Sequence, residues 1–234
     1  MTKNGIILID GGLGTTLELN GYTIHNDPLW SGKYLVNDPA IRPGRRGRDH
    51  DLHISNSQRI IENSVKIARD LKDWHRPRLE AIVRAEPDLI AFETIPSLVE
   101  AEALIDLLKE HPNTKAWLTY NCKDTKSTAY GEPIEDAVNV CLKSKQIIAV
   151  GVNCVDPTLV EPIVERISNI DRDIIVYPNA GNTWNEKLRQ YNPDGQSIVP
   201  FVSNYLKAGV KWIGGCCGVD PDSIRQIKQL LVEA

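Results

Sequence analysis

The sequence predicts an α/β barrel in which parallel strands alternate with helices. The chain has 234 residues, a length that suits one domain of this kind. Apolar runs of strand length alternate with amphipathic helical stretches along most of it. Glycines mark the end of nearly every predicted strand, which favours a barrel over an open sheet. Contents of 41% hydrophobic and 25% charged residues are ordinary for a globular protein with a sizeable core.

The predicted strands are short apolar runs bounded by glycine, proline or polar residues. There are six of them, at residues 5–10, 87–94, 115–121, 146–153, 173–177 and 210–214. Serial pairing of each strand with a following helix predicts a parallel sheet.

The predicted helices fill the intervals between these strands. Apolar residues at helical spacing predict a helix over 57–73, and a separate helical piece over 77–85 follows it. Pro96 and Ser97 open the next helix, and Ser97 with Glu100 forms a capping-box signature. Four more helices are predicted at residues 133–142, 157–168, 197–207 and 221–232.

Charge and targeting signals exclude several classes of partner. The net charge of −4 gives no reason to expect nucleic acid or an anionic membrane, and the four arginines of the polar segment 42–58 are predicted to lie in a loop. No apolar run reaches the roughly 20 residues of a membrane span, and the first residues do not form a secretory signal. Five cysteines, an odd number, then indicate a reducing compartment, and we expect the cytoplasm.

Three cysteines lie at the ends of two predicted strands. Cys216 and Cys217 sit between glycines directly after the last strand, and Cys154 ends the fourth. An Asp-Pro pair, typical of a helix start, follows each site at Asp156 and at Asp220. Because parallel strands carry their chemistry at the carboxyl edge of the sheet, the sulfurs are predicted to converge there.

Three thiolates with an open fourth position make a catalytic zinc site, so Zn²⁺ is the predicted cofactor and Cys154, Cys216 and Cys217 are its predicted ligands. Three buried cysteines acting as small hydrophobic residues are the alternative. A disulfide between the two adjacent cysteines is a further alternative, which strain disfavours. The glycine flanks and the matching strand ends favour the metal site.

Two carboxylates also end predicted strands. Asp10 precedes a glycine-rich loop, where it either lies beside a small ligand or caps a helix. Glu93 either holds a substrate ammonium or orders the site, or it serves as a cap or ion-pair partner. The remaining cysteines, Cys122 and Cys141, lack the glycine setting and are predicted to be structural.

Six segments spread over most of the chain carry a family resemblance; they are residues 8–15, 27–31, 75–79, 92–96, 151–154 and 214–218. On these residues the sequence resembles the homocysteine S-methyltransferase family, in the branch that uses S-methylmethionine or S-adenosylmethionine. The resemblance implies a (βα)8 TIM barrel that forms one homocysteine-binding domain over residues 1–234. It also implies zinc ligation by the three cysteines and contacts of Asp10 and Glu93 with the amino group of homocysteine.

The activity implied by the resemblance is zinc-dependent methyl transfer from the sulfonium donor to the thiol of homocysteine, which gives methionine. Zinc deprotonates the thiol in such a site, so no catalytic residue beyond the metal site is expected. The alternative is an enzyme that methylates a different acceptor, another thiol or a selenol such as selenocysteine.

The sequence departs from the family pattern between its first strand and the helix at 75–79. The family has two further strands there, the second ending in Gly-Pro-Tyr-Gly, and neither is present in this chain. We therefore expect an incomplete barrel with about six recognisable strands, which lacks the second and third. A catalytically inactive deletion variant, which acts only as a zinc-binding or regulatory protein, is the corresponding alternative function.

Overall fold

The structure is a computed structural model that describes residues 5–9, 57–185, 190–192 and 194–233. Asp10, the glycine-rich loop that follows it and the arginine-rich segment 42–56 lie outside these residues. Predictions that concern them therefore stay predictions.

Strands in the described residues are short and mostly buried. Their bounds are β1 (Ile7–Leu8), β2 (Ile90–Ile95), β3 (Ala116–Tyr120), β4 (Ile147–Asn153), β5 (Asp173–Tyr177), β6 (Trp184–Asn185), β7 (Gln190–Tyr191) and β8 (Val210–Ile213). The helices are α1 (Ser57–Arg84), α2 (Leu98–Leu108), α3 (Ile134–Cys141), α4 (Pro157–Ile167), α5 (Val202–Lys207) and α6 (Pro221–Glu233), and a 3-10 turn over Val199–Phe201 leads into α5.

Six strands form one parallel sheet in the order β1-β8-β5-β4-β3-β2. From β2 to β5 each strand pairs with the next one along the chain, β5 pairs with β8, and the first strand, β1, lies beside the last, β8. That order is the order of a barrel, because an open doubly wound sheet places its first strand in the middle. The predicted six-stranded, incomplete barrel is confirmed for the described residues, in which β1 and β2 form the two ends of the sheet.

Helices cover one face of the sheet, and the other face encloses a smaller inner core. The inner core contains Ala149, Ile175, Tyr177 and Trp212, which are buried, and Trp117 packs against it. The rings of Trp117 and Trp212 lie 6.0 Å apart at 59°. Cys216 also contacts this group, so the inner core lies directly beneath the cysteines at the carboxyl edge of the sheet.

The division of residues 57–85 into two helices was wrong, because α1 continues from Ser57 to Arg84 with Pro77 inside it. Two contacts with α2 lie on the N-terminal side of the proline, an ion pair of Lys72 with Asp106 (2.8 Å) and a hydrogen bond between His75 and Glu100 (2.9 Å). Buried Leu79 follows the proline on the same side of the helix. These tertiary contacts offset the hydrogen bond that proline removes from a helix.

Two smaller features also differ from the predictions. The helix expected at 197–207 begins only at Val202, after the 3-10 turn over Val199–Phe201, and a short antiparallel pair, β6 with β7, was not predicted. One of the two hydrogen bonds of the capping box is present, because the Ser97 hydroxyl accepts from the amide of Glu100 at 3.2 Å. The Glu100 carboxylate contacts His75 instead. No helix of the described residues is both long and apolar enough to cross a membrane.

Candidate metal centre

Cys154 follows directly after β4 and leaves the geometry of the strand. Its φ of 52° lies in the left-handed region, which is uncommon for a residue with a side chain. Its amide donates to the carbonyl of Tyr177 at 3.1 Å, and its own carbonyl accepts from Nδ2 of Asn121 at 2.8 Å. These two bonds hold a backbone turn that directs the sulfur to the carboxyl edge of the sheet.

Cys216 and Cys217 lie on a tight loop after β8 that is held by backbone hydrogen bonds. The amide of Cys216 donates to Pro178 at 2.7 Å, and the carbonyl of Cys217 accepts from Ala180 at 2.8 Å. Both partners belong to the segment after β5, which lies between β4 and β8 in the sheet. The segment after β5 therefore fixes the position of both cysteines.

The glycines on either side of the cysteine pair serve different purposes. A Cβ at Gly215 would lie 2.2 Å from a methyl group of Val219, so only glycine fits that close approach. Gly218 has a φ of +79°, and a Cβ there would lie 2.2 Å from Oδ1 of Asn182. The loop thus requires glycine for space at the first position, and for both space and conformation at the second.

The three sulfurs converge as the sequence predicted. Sγ of Cys217 lies 3.6 Å from Sγ of Cys154 and 3.9 Å from Sγ of Cys216, and the Cys154–Cys216 distance is 2.8 Å. A tetrahedral zinc with Zn–S bonds of about 2.3 Å holds its sulfurs about 3.8 Å apart. Two of the three distances match that spacing, and all three side chains are only partly buried, so the cluster fits a metal with an open position.

The charges of the three thiols are strongly coupled. S–H groups of Cys154 and Cys216 hydrogen-bond Cys217 and lower the pKa of its thiol to about 3. The bond to Cys216 lowers the pKa of Cys154, but the bond to Cys217 and burial outweigh it, so that pKa rises to about 12. Bonds to Cys154 and Cys217, with burial, raise the pKa of Cys216 far above its usual range. Without a metal, the cluster therefore holds one negative charge.

The other two cysteines lie outside the cluster. Both Cys122 and Cys141 are buried, and burial is the largest effect that raises the pKa of each thiol to about 12. Cys141 packs on the buried face of α3, with its sulfur 4.0 Å from the hydroxyl of Tyr120. Inert, protonated thiols of this kind fit the structural role that was predicted for them.

Glu93 lies at the carboxyl end of β2, the same edge of the sheet as Cys154. The pairing of β2 with β3 is irregular between Phe92 and Ile95, so the strand bulges at Glu93 and Thr94. The side chain of Glu93 is exposed. Burial is the largest cause of the raised pKa of Tyr177, and the negative charge of Glu93 is the second largest. The Glu93 carboxylate therefore lies near the inner core.

A buried polar network beneath this edge was not predicted. Asn153 contacts Thr94 and Thr119, and the hydroxyl of Thr119 lies 2.7 Å from that of Tyr177, which also accepts from Nε1 of Trp117 at 3.0 Å. Two polar residues inside apolar strands, Thr119 and Asn153, were the signal for it in the sequence. Buried polar side chains occur where hydrogen-bond partners exist for them.

The profile of the homocysteine S-methyltransferase family matches residues 51–231. This chain belongs to the homocysteine S-methyltransferase family. Homocysteine S-methyltransferase 1 of Arabidopsis thaliana is 29% identical over 96% of this chain and 93% of the relative. Homocysteine S-methyltransferase YbgG of Bacillus subtilis is 28% identical over 95% and 93%, and selenocysteine Se-methyltransferase of Brassica oleracea is 27% identical over 97% and 89%.

Solved structures show the same fold. The homocysteine methyltransferase MmuM of Escherichia coli superposes with a TM-score of 0.74 in its metallated form and 0.70 in its apo form. Sequence identity is 22% for the metallated form, and the match covers 97% of each chain. The Arabidopsis alignment runs over 306 residues, more than the 234 of this chain, so the relative contains residues that this chain lacks. This agrees with the expected loss of internal segments.

Proposed function

We propose that this protein transfers a methyl group from S-methylmethionine or S-adenosylmethionine to the thiol of homocysteine, with zinc held by Cys154, Cys216 and Cys217. The observation that carries the proposal is the convergence of three partly buried sulfurs, of which two separations, 3.6 and 3.9 Å, match the spacing of thiolates on one zinc. Membership of the family supplies the acceptor and the reaction class. The zinc and the sulfonium donor are inferred from the chemistry of the cluster.

The residues of the cluster suit a soft, thiolate-binding metal. When bound, zinc supplies a Lewis acid that lowers the pKa of the substrate thiol below the value of about 8.5 for a free thiol. The three cysteines contribute negative charge, which keeps sulfur at the open position electron-rich. The polypeptide contributes neither nucleophile nor general base in this proposal.

The chemical step balances without a further reactant. The homocysteine thiol loses its proton to solvent, and its sulfur forms a bond to the methyl carbon as the carbon–sulfur bond of the sulfonium breaks. The electron pair of the broken bond remains on the donor sulfur, which becomes a neutral thioether. The donor therefore leaves as methionine or as S-adenosylhomocysteine, and the acceptor becomes methionine.

Carboxylates at the strand ends are proposed to hold the amino group of homocysteine. Glu93 is exposed at the same edge of the sheet as Cys154, so an amino acid whose sulfur lies at the cluster can direct its ammonium to it. Asp10 follows β1, which pairs with β8, and is proposed as the second contact on the strength of the family resemblance.

A selenol acceptor is the second candidate. Selenocysteine Se-methyltransferase of Brassica oleracea matches 97% of this chain at 27% identity, close to the 29% of the homocysteine enzymes. The same cluster binds a selenolate or a thiolate. Selenocysteine is one methylene shorter than homocysteine, so the distance from the cluster to the ammonium contacts decides between these acceptors.

The test is zinc content of the purified protein, measured with methionine formation from homocysteine and S-methylmethionine. We expect one zinc per chain and turnover. Replacing Cys216 by alanine is expected to abolish both, whereas Cys122→Ala, which removes a buried cysteine outside the cluster, retains both. Zinc without turnover of any acceptor would favour the inactive zinc-binding variant, and full activity of metal-free Cys216→Ala would contradict the proposal.

A further inference from the structure

The side chain of Asn153 joins three strands at the carboxyl edge of the sheet. Its Oδ1 accepts from the amide of Thr94 at 2.7 Å and from the hydroxyl of Thr119 at 2.8 Å, and its Nδ2 donates to Oγ1 of Thr94 at 2.8 Å. Asn153 has no exposed surface. It lies in β4, Thr119 in β3 and Thr94 in β2, so one amide crosses the inner face of the sheet from β4 to β2.

The site that Asn153 holds on β2 is locally strained. Thr94 has a φ of 61°, in the left-handed region that a β-branched residue rarely adopts. The strand bulges there, and β2 is one end of the sheet in the described part of the chain, with β3 as its paired neighbour. Strain of this kind persists only where the surroundings fix it. The two bonds from Asn153 to Thr94 supply that support.

Each end of this connection adjoins a residue of the proposed site. Asn153 precedes Cys154, whose φ of 52° turns its sulfur towards the cluster, and Thr94 follows Glu93 directly. The amide therefore links the backbone that carries a proposed metal ligand to the backbone that carries a proposed substrate carboxylate. Thr119 connects it onward to Tyr177 on β5, whose carbonyl accepts from the amide of Cys154.

We propose that Asn153 is a positioning residue that fixes Glu93 relative to Cys154, so that the acceptor amino acid is held at its sulfur and its ammonium together. This inference rests on the proposed function for the identity of the acceptor. The role of Asn153 is to set the separation of two binding points, and the residue itself does not touch the reacting atoms. Loss of the amide releases the ammonium contact and leaves the sulfur contact in place.

The expected signature is a selective loss of affinity. Asn153→Ala should raise the Kd and the KM of homocysteine about tenfold, the lower end of what a hydrogen bond to a charged group contributes. Zinc content should stay at one per chain. The affinity for 4-mercaptobutanoate, which is homocysteine without its amino group, should change less than twofold, because this thiol does not use Glu93.

Two further variants separate positioning from general destabilisation. Thr94→Ala keeps the amide that donates to Asn153 but removes the hydroxyl that accepts from it, and Thr94 is exposed, so the variant is expected to fold and to weaken homocysteine binding by a smaller factor. Gln146 carries an amide at the opposite end of β4, where it donates to the carbonyls of Leu108, His111 and Thr114. Gln146→Ala should lower the melting temperature without changing either Kd.

The experiment is calorimetric titration of each zinc-loaded variant with both thiols, together with steady-state kinetics. A loss that is equal for the two thiols, or a fall in zinc content in Asn153→Ala, overturns the positioning role. Unchanged homocysteine affinity in Asn153→Ala overturns it as well. Wild-type protein that binds homocysteine selectively over 4-mercaptobutanoate but shows no turnover contradicts the proposed function alone, and the comparison of Kd values still decides the role of Asn153.

Discussion

In the metal-free protein, the thiols of the three cysteines in the cluster differ in protonation. Hydrogen bonds from its neighbours lower the pKa of Cys217 to about 3, so this thiol is already ionised at neutral pH. The pKa of Cys154 is raised to about 12 and that of Cys216 is raised further, so both hold a proton there. A metal reverses this balance, because coordinated thiols are deprotonated.

Zinc uptake by the metal-free protein is therefore expected to release about two protons at neutral pH. The two thiols with raised pKa each lose one, and the thiol with lowered pKa has none to lose. The apparent affinity for zinc should accordingly increase roughly 100-fold per pH unit over the pH range in which Cys217 is ionised and Cys154 and Cys216 are protonated. Calorimetry in buffers of different ionisation enthalpy counts the protons. Release of three would show that each thiol is protonated independently before the metal binds.

Gly215 gives a second prediction at the scale of one residue. Gly215→Ala should destabilise the protein by about 1–3 kcal/mol, as overpacking does, and should lower its zinc content, because the new methyl group displaces Val219 and the adjacent cysteines. Gly209→Ala is the matched control. Gly209 has a φ of +104° and open space around it, so this variant loses stability through backbone strain alone. Zinc content and urea denaturation distinguish the two, and equal zinc content would contradict the steric account.

Among the elements, α1 shows how packing overrides a local breaker. Pro77 removes one backbone hydrogen bond from the helix interior, yet the helix continues across it. The turns that precede it are held by an ion pair of Lys72 and a hydrogen bond of His75 with α2. Two hydrogen bonds from Arg76 to Glu110 hold them as well. The helix is stabilised by its neighbour, and its continuity does not reflect the propensity of its own residues.

Pro77→Ala is expected to raise the free energy of unfolding by about 1–2 kcal/mol. The restored hydrogen bond and the relief of the proline clash contribute up to about 3 kcal/mol, from which the greater entropy of the unfolded chain subtracts about 1 kcal/mol. Pro157→Ala is the contrasting variant, because Pro157 occupies the favourable first turn of α4 after the Asp156 cap. It should lose stability slightly. A loss in Pro77→Ala, measured by urea denaturation, would contradict this account.

The same contrast explains which features could be predicted from the sequence. The cysteine site was predictable because glycines, strand ends and an Asp-Pro pair lie within a few residues of each sulfur. The continuity of α1 was not, because the contacts that maintain it join residues 25 to 34 positions apart. The link from Asn153 to Thr94 spans 59 positions. Hydrogen bonds at such separations leave no local pattern, only isolated polar residues within apolar strands.

At the scale of the whole molecule, the proposed metal joins two strands of one sheet that are far apart in the sequence. Cys154 follows β4, the cysteine pair follows β8, and β5 lies between these strands. The cluster therefore connects both neighbours of β5 at the carboxyl edge. The sheet itself rests on a core that does not include the sulfurs of Cys154 and Cys217, with Val150, Val152, Ile174 and Val176 buried between sheet and helices.

Removal of zinc is consequently expected to lower the melting temperature without unfolding the protein. A chelator should reduce the free energy of unfolding by the binding term, and added zinc should restore it, because only the native state brings the three sulfurs together. Far-UV circular dichroism should change little. Loss of most of the secondary structure on chelation would mean that the core of this incomplete barrel cannot fold without the metal.

Protection by homocysteine tests whether the incomplete barrel still forms a substrate site. A ligand at 100 times its Kd stabilises the native state by about 2.7 kcal/mol, so homocysteine should raise the melting temperature of the zinc-loaded protein. The shift should disappear after chelation, because the sulfur then lacks its anchor. 2-Aminobutanoate, which has the ammonium but no thiol, should give no shift. Protection by homocysteine that is independent of zinc would place the ligand away from the cysteine cluster, and the cluster would then be a metal site without a role in binding the acceptor.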